Sequence, residues 1–376
     1  MNGSREKVYA YWLDNVKGIG RKTIIRILEQ YGNAEKFYFA EDDERMNILS
    51  QKQREQVRTS RRQWNLYTEY ERLTMQKIKF YHLGDPDYPE KLRMIPDAPY
   101  ALYVKGKLPD HGGRTIAVIG ARTCTEYGRV IAGQFAGAFA DAGIQIISGM
   151  ARGIDGISQK AAIDHGGQTF AVLGCGCNIC YPPESRQLYE QICERGGVIS
   201  EYLPDTQPMP SLFPPRNRII SGLADAILVI EAKEKSGTLI TVDMALEQGR
   251  DIFAIPGRVT DSLSSGCNRL IRQGAGMAIS PREVLKELYG DAFYDSVSVQ
   301  QDNDSGTGIR MEHLPEMEKT ILQKTDYVPL SLEILLDRCR SCVPGMSLQQ
   351  LMTCLLSLQL KGMIGREGSH YFKVGS

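Results

Sequence analysis

The residues with the plainest chemical potential are arginines set in glycine-rich turns. Gly120-Ala121-Arg122-Thr123-Cys124-Thr125 follows the apolar run Thr115 to Ile119, and Ser148-Gly149-Met150-Ala151-Arg152-Gly153-Ile154-Asp155 follows Ile144 to Ile147. A glycine turn at a helix start leaves backbone N–H groups unpaired, and an arginine beside it adds a planar donor fork, a combination suited to phosphate. Candidate contacts are Gly120, Arg122 and Thr125 in the first stretch, and Ser148, Gly149 and Arg152 in the second. Asp155 reads as the helix N-cap, or as a partner of Arg152 or Arg122.

A third stretch, Phe213-Pro214-Pro215-Arg216-Asn217-Arg218, is reached through the proline-rich Pro204 to Pro210 and reads as a rigid loop. Phe213 offers a stacking face, while Arg216, Asn217 and Arg218 offer donors, which together suit nucleic acid. The alternative is that Phe213 is core and Arg218 pairs with Asp225. After Ala226 to Ile230 another glycine-hydroxyl turn brings Lys233, Ser236, Gly237 and Thr238 as further candidates. Near the start, Val16 to Thr23 holds Gly18, Gly20, Arg21 and Lys22, which make either a secondary phosphate contact or a hairpin kept for its fold alone.

Other chemistries lack their parts. Gly174-Cys175-Gly176-Cys177-Asn178-Ile179 has isoleucine where the third glycine of a dinucleotide fingerprint belongs, and no Walker A, H-E-x-x-H or G-x-S-x-G pattern occurs. The nine cysteines are odd in number and scattered, which favours reduced thiols. Cys175, Cys177 and Cys180 would join Cys339 and Cys342 in a zinc site only if the two groups met in space; small buried thiols are the commoner case. No metal, cofactor or catalytic residue is therefore expected.

These stretches need a sheet to position them. Between Arg114 and Leu288, apolar runs at Thr115 to Ile119, Ile144 to Ile147, Thr169 to Leu173, Val198 to Ser200, Ala226 to Ile230 and Ile252 to Ile255 alternate with helix-length amphipathic segments. Such alternation predicts an α/β fold, a Rossmann-like doubly wound and mainly parallel sheet. Met277 to Ile279 is a candidate last strand, and Tyr100 to Val104 a candidate edge strand. The 376 residues divide into a helical domain at 1–78, the core at 79–288, a flexible polar linker at 289–314 and a small module at 315–376. The first reads as an all-α helix-hairpin-helix or SAM-like domain and the last, three helices and a hairpin, as winged-helix-like. Ser347 to Leu360 would be its groove-reading helix but carries no Lys or Arg, which favours protein contact or stability over duplex reading.

Lys+Arg and Asp+Glu both number 45, so any polyanion site must be local rather than a global basic field. No apolar run is long enough for a membrane helix and the start lacks a signal peptide's apolar region, which points to the cytoplasm.

Ile119 to Arg122, Ser148 to Asp155, Phe213 to Arg218, Ser236 to Thr241 and Pro256-Gly257-Arg258 stand in the order and spacing of the DNA-processing protein A family (DprA/Smf), which the chain resembles over about residues 80–285. The resemblance implies a non-catalytic protein that binds single-stranded DNA entering during natural transformation, protects it and loads the RecA recombinase. It also implies a homodimer formed through the Rossmann-like core, and DNA contacts at Gly120, Arg122, Thr125, Ser148, Arg152, Phe213, Arg216 and Arg218. Ala121 stands where many members have serine. The alternative is a nucleotide-binding enzyme of the phosphoribohydrolase-like group, whose P-G-G-x-G-T-x-x-E glutamate has no counterpart in Ser236 to Thr241.

Overall fold

The computed structural model describes residues 2–41, 48–293, 314–327 and 329–373. Most of the expected linker, residues 294–313, lies outside them. By packing, the chain forms two units, Met1–Thr123 with Gly133–Val284, and Cys124–Ala132 with Leu285–Ser376.

The first unit is built on a nine-stranded sheet. Its strands in chain order are β1 (Ile78–His82), β2 (Ala101–Gly106), β3 (Thr115–Ile119), β4 (Gln145–Ser148), β5 (Thr169–Val172), β6 (Gly197–Ser200), β7 (Ala226–Val229), β8 (Asp251–Ala254) and β9 (Gly276–Met277). Their spatial order is β1-β2-β6-β5-β4-β3-β7-β8-β9. From β6 to β9 all neighbours are parallel, whereas β2 runs antiparallel to both β6 and β1. The central strands β3 to β7 are buried along their whole length, which is why they read as unbroken apolar runs rather than alternating ones.

The edge was misplaced by the sequence reading. Tyr100 to Val104 lies inside the sheet, and β1, at the start of the expected core, forms the edge. Its Ile78, Phe80 and His82 are buried while Lys79 is exposed, the period-2 alternation of a strand covered on one face.

Each face of the sheet has its own apolar cluster. One joins α1 (Asn2–Asn15), α2 (Arg21–Tyr31) and α3 (Ala34–Phe39) to the strands through Trp12, Ile27, Phe37, Tyr103, Leu173 and Val198. The other packs Leu92, Ile147, Ile199, Ile220, Val229 and Val242 together, bringing α10 (Phe213–Leu223) and α11 (Gly237–Glu247) onto the opposite face. The remaining helices of this unit are α4 (Gln51–Gln63), α5 (Leu66–Met75), α6 (Glu90–Arg93), α8 (Ile154–Asp164), α9 (Arg186–Arg195) and α12 (Ser265–Arg272). Two helices cross the unit boundary, α7 (Glu126–Asp141) and α13 (Pro281–Tyr289).

Where α1 meets β2, the Tyr103 hydroxyl donates to Asp14 Oδ2 at 2.6 Å. Lost hydration pushes the Asp14 carboxyl up to about 7, the Glu201 charge adds to this, and the Tyr103 bond opposes it. The unfolded carboxyl titrates near ~3.9, so the folded protein holds this proton more tightly. The resulting stability is complete below pH ~4 and is lost as pH rises through about 7. Asp14→Asn, which keeps an acceptor for Tyr103, is expected to flatten that decline in denaturant titrations between pH 4 and 7. An unchanged slope would count against the assignment.

The second unit contains α14 (Glu316–Lys324), β10 (Leu330–Ser331), α15 (Leu332–Arg340), α16 (Leu348–Leu360), β11 (Ile364–Glu367) and β12 (His370–Lys373), with sheet order β10-β12-β11. Ile321, Leu335, Leu351, Leu355 and Leu358 form its core. Ser347 opens α16 with a capping box to Gln350. The helix exposes Leu348, Met352, Leu356 and Leu360, one residue per turn along a single stripe. Among the described residues no helix is long and apolar enough to cross a membrane.

Candidate nucleic-acid interface

The chain runs from β3 outward to β4, β5 and β6 on one side, then returns past β3 to β7, β8 and β9 on the other. That reversal makes a crevice at the carboxyl ends of β3 and β7, the place where doubly wound sheets take ligands. The loops after β3, β4, β5 and β7, together with the start of α10, enclose two cavities there.

The larger, about 530 Å³, is lined by Gly120, Arg122, Phe213, Asn217, Lys233, Ser236, Gly237 and Thr238 among others. Arg122 and Lys233 are exposed. Ser236 is the N-cap of α11 but makes no capping bond, and its hydroxyl is buried without a partner. A helix start with free N–H groups and an idle hydroxyl is a site for an anion.

The smaller cavity, about 310 Å³, includes Arg152, Cys175 and Tyr181. Arg122, Thr123, Ala151, Phe213 and Arg216 line both cavities and so form the partition between them. In that partition the guanidinium carbons of Arg122 and Arg216 each lie 5.9 Å from the Phe213 ring centre, and the Tyr181 ring lies 5.4 Å away at an interplanar angle of 30°. The Phe213 ring also rests on Gly174, where an added Cβ would come within 2.7 Å of it. Tyr181, 39% exposed, is an aromatic face that the sequence reading passed over. Its sequence-level signal was its place in the loop that runs from the end of β5 to Pro183.

The stretch from Phe213 to Arg218 is helical, not a loop. Its prolines occupy the first turn of α10, where a missing N–H costs nothing and a fixed φ suits the helix.

Four expected contacts have other duties. The Ser148 hydroxyl is buried and donates to Val118 O at 2.7 Å. Gly149 is buried and its N–H donates to Asp155 Oδ2 at 3.2 Å, although the residue lines the smaller cavity. The same bond corrects the role of Asp155, because Gly153 is the N-cap and Asp155 reaches back from the first turn of α8. Burial raises the Asp155 carboxyl, with Arg216 and Arg122 opposing. Arg218 is buried, donates through Nη1 and Nη2 to both carboxylate oxygens of Glu201 at 2.6 Å, and also meets Asp97. Asp225, its expected partner, pairs with Lys91 instead. Arg21 binds Ala98 O and Asp97, which ties the Gly18 to Gly20 turn to the same cluster. Lys22 beside it is exposed.

Arg216 is intermediate between the two groups. It lines both cavities yet is 4% exposed, and its Nη1 donates to Gly149 O and Val172 O. Burial lowers its pKa to about 10, with Asp155 opposing, so it remains a cation, and its Nε has no partner. Arg152 is exposed and paired with Glu184. Thr125 accepts the Gly128 N–H at 3.0 Å at the start of α7. Among the described residues no cluster of His, Cys, Asp and Glu is arranged to hold a metal.

A doubly wound sheet whose switch-point loops gather cations, a helix N-terminus and aromatic faces defines a Rossmann-like fold with a candidate anion-binding face. The family of DNA recombination-mediator protein A matches residues 79–289, and the chain belongs to that family. It is 42% identical to DNA processing protein DprA of Streptococcus pneumoniae over 57% of this chain and 75% of that one. To Protein Smf of Synechocystis it is 31% identical over 95% and 96% of the two chains. The X-ray structure of the Streptococcus pneumoniae protein superposes with a TM-score of 0.66 at 34% identity, covering 75% of this chain and 98% of that one.

Proposed function

We propose that the switch-point face binds single-stranded DNA with little sequence preference and without catalysis, and that the protein acts in DNA processing during natural transformation. The observation that carries this reading is the partition itself: an exposed arginine lies against an aromatic pair, with the uncapped start of α11 and its unpartnered Ser236 hydroxyl on one side. Cations and N–H groups follow a phosphate chain, and aromatic faces accept any base. Duplex bases are already stacked, so a single strand is preferred. Protection of that strand, loading of the RecA recombinase, a homodimer through the core and a cytoplasmic location complete the proposal. So do the divisions at 1–78, 79–288, 289–314 and 315–376, with the outer two as helix-hairpin-helix and winged-helix modules. The cation-free stripe on α16 fits protein contact better than a DNA groove.

Three exposed cations border the two cavities, namely Arg122, Arg152 and Lys233, beside the buried Arg216. If each meets one phosphate, the logarithm of affinity falls with the logarithm of salt at a slope of roughly −2. Arg122→Ala is expected to weaken binding about ten-fold and to reduce that slope by about 0.7. Filter-binding titrations of single strand and duplex at several salt concentrations test this. Equal affinity for duplex, or a slope unmoved by Arg122→Ala, would sink the reading.

A further inference from the structure

We propose that Cys339 and Cys342 are a reversible modification site in the second unit, where a hydroperoxide oxidises the Cys342 thiol and Cys339 closes a disulfide onto it. This stands apart from the single-strand reading and does not depend on it.

The C-x-x-C of the sequence straddles the end of α15. Cys339 lies in the last turn of that helix, Cys342 just past it, and the Cys342 N–H donates to Cys339 O at 3.1 Å. A turn closed by such a bond keeps its end Cα atoms within about 7 Å, and a disulfide takes Cα separations of about 4.4–6.8 Å. Little backbone movement is needed to join the pair. The two thiols also differ as an attacking and a resolving thiol should. Among the described residues Cys342 is the one exposed cysteine, whereas Cys339 is buried in the core cluster that holds Leu335 and Leu351. The Cys342 sulfur lies 3.7 Å from Ser341 Oγ, and the Lys324 ammonium at the end of α14 also bonds to it. The hydroxyl first, and then the ammonium, hold this thiol below its ordinary value and so favour the thiolate, the reactive form. Burial raises the Cys339 thiol and the Cys342 charge adds to this, so Cys339 keeps its proton for the second step. In the first step the Cys342 thiolate takes one oxygen of the hydroperoxide as the O–O bond breaks, giving a sulfenic acid and a hydroxide or alkoxide. In the second, the Cys339 sulfur attacks that of Cys342, the S–O bond breaks, and the oxygen leaves as water with the Cys339 proton. Two thiols are oxidised by two electrons and the peroxide is reduced by two. Cys354 on α16 is a competing resolver because it too bears on Cys339, but burial raises its own thiol and it lacks the one-turn spacing.

The test exposes the full-length protein to limiting hydrogen peroxide, quenches it in acid and counts free thiols after denaturation. Wild type is expected to fall from nine thiols to seven, and dithiothreitol should restore all nine. Cys342→Ser, a change at the surface, should keep its remaining thiols. Cys354→Ser should still lose two. Cys339→Ser should stop at the sulfenic acid on Cys342, which dimedone traps; if that core substitution prevents folding, Cys342→Ser and Cys354→Ser decide the matter. Wild type retaining nine thiols, Cys342→Ser losing two, or Cys354→Ser losing none would each overturn the pair.

Discussion

Arg218→Ala is expected to destabilise the protein by about 3–5 kcal/mol, the range for removing one partner of a buried ion pair. Arg218 and Glu201 side chains are 10% and 16% exposed, and the guanidinium meets both carboxylate oxygens. Alanine would leave the Glu201 side chain without its partner in a poorly hydrated site. It would also release Asp97, which Arg218 shares with Arg21, and so loosen the link between the Gly18 to Gly20 turn and α10. A guanidinium-chloride unfolding curve reads the loss directly. Arg218→Met combined with Glu201→Gln should recover much of it, because neither partner is then left as a buried charge. The salt slope of single-strand binding, measured where the variant is folded, should match wild type. A normal midpoint with a reduced slope would instead return Arg218 to the DNA-contact role expected from sequence.

Arg218 also shows where the limits of sequence reading lie. Its cation and its place among aromatics and prolines were legible, but its partners Glu201 and Asp97 lie 17 and 121 residues away, and only the fold brings them together. The partners of Ser148 and Gly149 were hidden in the same way, since a hydroxyl or an N–H in a turn looks free until the neighbouring strand or helix supplies its partner. The central strands were legible because burial on both faces leaves an unbroken apolar signature that needs no partner to interpret. Arg122 and Lys233 were legible as cavity-lining cations because both stand exposed in loops at strand ends, where side chains most often remain available. Tyr181 was missed because its meaning depends on Phe213, 32 positions later in the sequence. The start of α10 was misread because two consecutive prolines were weighed as loop-formers, although the first turn of a helix accepts them equally well.

Gly153→Ala is expected to damage stability and binding together. Gly153 has φ +73 and ψ −131, a region open in practice only to glycine, and forcing another residue there costs about 1–3 kcal/mol. Strain is the smaller part of the problem. A Cβ at this position would stand 2.3 Å from Ala121 O and 2.6 Å from Arg122 O, both backbone atoms that no rotamer change can move aside. The loop after β3 must then retreat from the start of α8, breaking the Ile154 N–H bond to Ala121 O at 3.2 Å, and overpacking of this kind adds about 1–3 kcal/mol. Because Arg122 is carried on the retreating loop, the partition between the two cavities opens. Single-strand affinity should therefore fall at least as far as in Arg122→Ala, even under conditions where the variant is fully folded. Thermal unfolding and filter binding on the same preparation separate the two effects. An alanine variant with wild-type melting temperature and wild-type affinity would show that the two loops do not need this close approach, and that the partition is not what holds the strand.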